Sequence, residues 1–93
     1  MNYRYNQESL DRHGVSRSDV DEVLAVTNVT TRGFDMELAD EGNLRIMFVG
    51  YNFAGRLLEV GVEFMSEIEV RVFHAQAVSP KYCQLYKERI SNE

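Results

Sequence analysis

The sequence predicts an α+β domain: two short N-terminal helices, a four-stranded antiparallel sheet and a C-terminal helix, with residues 3–5 suited to a short additional edge strand. Three observations predict it. A helix stop runs directly into a helix start at His13-Gly14-Val15-Ser16. The apolar period changes from 3.6 to 2 between Phe34 and Ala75, and returns to 3.6 after Ser79-Pro80.

Residues 7–13 are polar and helix-compatible, and Gly14 supplies the positive φ that a helix C-terminus favours. Ser16 follows as N-cap with Asp19 three residues on, a capping-box arrangement. Val20, Val23 and Leu24 recur at helical spacing, while Asp19, Asp21 and Glu22 sit where the macrodipole favours anions. The strands begin at residues 34–38, where Phe34, Met36 and Leu38 alternate with Asp35 and Glu37. Asp40-Glu41-Gly42-Asn43 turns the chain into residues 44–51, and Asn52-Phe53-Ala54-Gly55 turns it again. Leu58, Val60, Val62 and Phe64 alternate with Leu57, Glu59, Gly61 and Glu63. In residues 68–75, Ile68, Val70 and Val72 oppose Glu69, Arg71 and Phe73. Short turns between successive strands make this an antiparallel meander, one face covered by helices and the other open. Ser79 then reads as N-cap with Pro80 at N1, and Tyr82, Leu85, Tyr86 and Ile90 form the stripe of the last helix.

Ninety-three residues, 44% hydrophobic and 11% aromatic, suit a single domain over residues 1–93 with one modest core. Ten Lys and Arg against 15 Asp and Glu give a net charge of −5, which opposes a general nucleic-acid binder. No stretch approaches the roughly 18 apolar residues of a membrane span, and the start lacks a signal-peptide core. Cys83 is the only cysteine, so neither an internal disulfide nor a thiolate metal cluster is expected. Phosphate-loop, zinc-protease and serine-hydrolase motifs are missing. These features lead to the expectation of a cytoplasmic protein without membrane association, metal or cofactor.

Hairpin register sharpens the picture of the open face. Turns centred near Glu41, Ala54 and Ser66 place Glu37, Arg45, Glu63 and Glu69 in one cross-strand row, and Asp35, Met47, Gly61 and Arg71 in the next. The face then carries Asp35, Glu37, Glu59, Glu63 and Glu69 against Arg45 and Arg71, a poor surface for RNA. Arg45 between two glutamates suits a structural ion pair better than phosphate binding. Arg71 beside Gly61 has room for a ligand, so phosphate contact and plain solvation both fit it.

Alternation puts His74 on the Val70/Val72 face near the end of the strand, where a hydrogen-bonded rim histidine competes with a catalytic one. His13 ends a helix, which suits capping of free carbonyls. Asp19 and Asp21 do not converge on one helical face, so they imply no metal. Residues 21–75 hold ten acids and four arginines, while residues 76–93 are net positive. Lys81, Tyr82 and Tyr86 thus form the locally basic, aromatic element, read either as a phosphate-and-base contact or as amphipathic tyrosines capping the core. Cys83 reads as a small buried or half-buried residue without a redox task.

His13-Gly14-Val15-Ser16 leading into an acidic amphipathic helix resembles a segment of BrnT-family toxins, RelE-like endoribonucleases of bacterial type II toxin–antitoxin systems. The likeness continues through Arg45 in a strand ending at Gly50, Gly55-Arg56-Leu57-Leu58, Arg71-Val72-Phe73-His74-Ala75 and Tyr86, roughly residues 10–88. It implies a RelE-like fold and metal-independent cleavage of mRNA, in which the 2′-hydroxyl attacks the adjacent phosphate. Arg71 and Arg45 would neutralise the phosphate, with Tyr86 positioning or exchanging a proton. Lys81, Tyr82 and Arg71 would contact RNA, and His74 would be the base.

Gln76, His74 and Tyr82-Cys83 depart from the family pattern of Arg, Ser and Glu-Arg at these positions, where chemistry is expected. Two functions follow from the resemblance. One is a ribonuclease toxin partnered by a cognate antitoxin and by RNA. The other is a catalytically degenerate RelE-like module that binds protein, through an antitoxin-mediated assembly or as a homodimer at a sheet edge.

Overall fold

A computed structural model describes residues 2–30 and 33–92, with backbone only for 26–30. In chain order the elements are β1 (Asn2–Tyr5), α1 (Gln7–Arg12), α2 (Arg17–Thr30), β2 (Phe34–Leu38), β3 (Leu44–Tyr51), β4 (Leu57–Phe64), β5 (Glu69–Ala77) and α3 (Pro80–Ser91). The sheet is five-stranded and mixed, in the order β1-β5-β4-β3-β2. The predicted four-stranded antiparallel sheet is therefore corrected: β1 joins β5 in parallel, with Tyr3 opposite Val70 and Tyr5 opposite Val72. That pairing joins segments 67 positions apart in the chain, and no local turn announces it.

The α1–α2 hinge forms as its residues dictate. Gly14 has φ +63°, and the Val15 amide donates to the Leu10 carbonyl. Ser16 and Asp19 cap reciprocally: the Asp19 amide donates to Ser16 Oγ at 3.0 Å and the Ser16 amide to Asp19 Oδ2 at 2.9 Å. Asn6 caps α1 in addition, its side chain accepting from the Ser9 amide. Leu10, Val15, Val20, Val23 and Leu24 pack on Ile46, Leu58, Val60, Val62, Val70, Val72 and Ala75 as one buried core.

The second sheet face is not fully open as expected. There α3 stands over the β2–β3 side, Tyr86 stacking edge to face on Tyr51 and Tyr82 on Phe34. Two irregularities reshape this face. In β2 the register shifts between Phe34 and Glu37, with Asp35 at φ +49°. In β5 it shifts opposite Gly61/Val62, leaving Phe73 as the extra residue. Such bulges have no signature in period-2 patterning.

Candidate functional site

The β3 register holds as expected, with Glu37 and Glu63 both opposite Arg45 and Met47 opposite Gly61. The β4–β5 register does not. Glu63 faces Arg71 in place of Glu69, and Gly61 faces His74 in place of Arg71. The space beside Gly61 is filled: a Cβ there would stand 2.7 Å from Phe73 Cζ and 2.9 Å from Met47 Sδ. In β2 it is Phe34, in place of the expected Asp35, that stands opposite Met47.

Two of the five acids of the expected surface are internal. Glu63 is 2% exposed and Glu59 3%. Glu63 accepts from Arg45 Nε at 2.7 Å and Asn43 Nδ2 at 3.0 Å, with Arg71 Nη2 at 3.8 Å. Bonds from Asn43 and Arg45 hold its carboxyl below the usual pKa against the opposing effect of burial. The Arg45 guanidinium also lies 4.7 Å from the Phe73 ring centroid. Arg45 thus has the structural role that its sequence position suggested, and Arg71 shares its carboxylate while remaining about half exposed.

Lys81 and Tyr82 converge on one carboxylate. Lys81 Nζ and Tyr82 Oη donate to Asp35 Oδ2 at 2.8 and 2.6 Å. The β2 bulge aims Asp35 at the start of α3. Bonds from Lys81 and Tyr82 lower the Asp35 pKa, while burial and the Asp35 bond raise that of Tyr82. These groups, with Glu37, Arg45 and Phe73, line a cleft of about 510 Å³. Arg71 and Lys81 are therefore held by different carboxylates on different strands, and Tyr86 rests on Tyr51.

His74 requires a correction of face. The bulge at Phe73 breaks the alternation and turns His74 onto the Glu59 side, opposite the core. Its Nε2 lies 2.8 Å from Glu59 Oε2, and the Ser79 amide donates to Glu59 Oε1 at 2.6 Å. Burial alone would raise the Glu59 pKa; bonds from Ser79 and His74 outweigh it and keep the carboxylate charged below its usual range. A charged carboxylate accepts, so the neutral imidazole bonded to it is the tautomer with its proton on Nε2 and its lone pair on Nδ1. His13 is the C-cap of α1 through its backbone N–H, whereas its position suggested capping by the imidazole. Its ring stands edge to face with His74, centroids 6.1 Å apart. Sequence reasoning missed Glu59 as a site residue, because a glutamate alternating with aliphatics looks solvated.

No protein-family model and no curated protein matches the sequence. Among the described residues no helix is long and apolar enough to cross a membrane. Cys83 is a half-buried free thiol.

Proposed function

We propose that this chain is a metal-independent endoribonuclease with a RelE-like domain, the toxin of a type II toxin–antitoxin pair that acts on mRNA in the cytoplasm. The observation that carries the reading is the Glu59–His74 pair: a buried, charged carboxylate fixes the imidazole tautomer and leaves Nδ1 able to accept a proton from a half-exposed position. The BrnT-like residues from His13 to Tyr86 supply the substrate class. In the proposed reaction His74 takes the proton of the RNA 2′-hydroxyl, whose oxygen attacks the adjacent phosphorus. Arg71, two-fifths or more exposed and only loosely held by Glu63, is the cation able to turn toward the phosphate. Arg45, locked between Glu63 and Phe73, positions rather than contacts.

A partner-binding module without ribonuclease activity is the second reading, favoured by Glu63 holding both arginines. Induced expression in a bacterial host separates the two. The ribonuclease reading predicts growth arrest and fragmented mRNA with the natural chain, and neither with His74→Asn at equal abundance. Intact mRNA during induction of the natural chain sinks it.

A further inference from the structure

The two histidines meet at one corner of the sheet. Along β5 the β1 partner ends at Val72, and among the described residues no strand pairs with the edge beyond it. The α1 terminus passes this edge, its backbone fixed by the His13 amide donating to the Ser9 and Leu10 carbonyls and by the burial of Val15. Both histidines are half-buried, so neither is closed off from solvent. Arg56 Nη1 donates to the carbonyl of Gly14, the residue after His13, at 3.3 Å, which brings a guanidinium to the same corner. Sequence position alone accounts for the His13 backbone as a cap, and it does not account for a second imidazole against the first.

We propose that His13 is the proton donor to the leaving 5′-oxygen, so that His13 and His74 act together on one phosphodiester. The inference rests on the ribonuclease reading and gives it a second catalytic residue. The 2′-O–H bond breaks and its proton passes to His74 Nδ1, because Nε2 is committed to Glu59. The 2′-oxygen forms a bond to phosphorus as the P–O5′ bond breaks, its electron pair leaves on O5′, and the His13 imidazolium protonates that oxygen. The products are a 2′,3′-cyclic phosphate and a 5′-hydroxyl, with no change of oxidation state. Proton exchange with water resets the pair. Two edge-to-face imidazoles can each reach a different oxygen of a phosphodiester lying across them, which one imidazole cannot do for attack and departure at once.

A leaving-group comparison tests the assignment. The purified chain, its His13→Gln and His13→Asn variants and His74→Asn are assayed on the sixteen ribodinucleotides and on the four ribonucleoside 3′-(4-nitrophenyl phosphates). Nitrophenolate departs without a proton. The His13 variants are therefore expected to lose about 10²-fold or more on dinucleotides and to fall little on the activated esters, which also report that the site is intact. His74→Asn loses both. Equal rates of His13 variants and natural chain on dinucleotides overturn the role of His13 alone, as does an equal loss on both substrate classes. A natural chain that cleaves neither class overturns the ribonuclease reading, and this inference with it.

Discussion

Replacing Arg45 by Met tests whether the buried carboxylate of Glu63 is the electrostatic hub of the second sheet face. The substitution keeps an apolar stem and removes both the guanidinium over Phe73 and its 2.7 Å bond to a carboxylate whose side chain is 3% exposed. Breaking a wholly buried pair costs about 3–5 kcal/mol. Here Arg45 is itself one-third exposed, Asn43 still donates at 3.0 Å and Arg71 remains at 3.8 Å, so the expected loss is about 1.5–3 kcal/mol. For a domain of this size that lowers the thermal midpoint by roughly 8–15 °C. Urea unfolding of the natural chain, Arg45→Met, Glu63→Leu and the double variant measures the loss and the coupling. The double variant is expected to be more stable than the sum of single losses predicts, by about 1 kcal/mol or more. Arg45→Met within about 0.5 kcal/mol of the natural chain, or strict additivity, would mean that Glu63 is not the hub of this face.

Acid should unfold the protein through its two internal glutamates. Their folded pKa values lie below normal, so their stabilisation is complete above the unfolded value of about 4.3 and is lost as pH falls through the folded values. Stability measured from pH 6 to 3 should fall less steeply in Glu63→Gln than in the natural chain, and an unchanged slope contradicts this. Gly61→Ala forces a methyl against Phe73 and Met47 and should cost about 1–3 kcal/mol in urea unfolding, with recovery on adding Phe73→Leu. Asp19→Ala removes the reciprocal cap and the bond from Asn52 at 3.1 Å; a loss of about 1–2 kcal/mol is expected, and no loss would mean the cap is not formed in solution.

Local chemistry made much of this fold legible before the structure. Gly14, Ser16 with Asp19, and Ser79-Pro80 mark boundaries through interactions within a few residues, and α2 and α3 begin after Ser16 and at Pro80. The β3 register followed from turn positions and alternation, so Arg45 opposite Glu63 was accessible from sequence. What failed was nonlocal or aperiodic. The parallel pairing of β1 has no turn to announce it. The extra residue at Phe73 reverses the facing of His74, and a one-residue slip sends every later side chain to the other side. The burial of Glu59 and Glu63 was hidden because Asn43, His74 and Ser79 supply partners that make it tolerable, and none is adjacent in sequence. The proximity of His13 and His74, 61 positions apart, belongs to the same class.

The most direct measurement of the central claim is the single-turnover cleavage rate of an end-labelled oligoribonucleotide of mixed sequence, with chelator present, for the natural chain and His74→Asn. Products ending in 2′,3′-cyclic phosphate are expected, formed at least about 10²-fold faster by the natural chain. RNA left intact by the natural chain, or cleaved equally by His74→Asn, would contradict it.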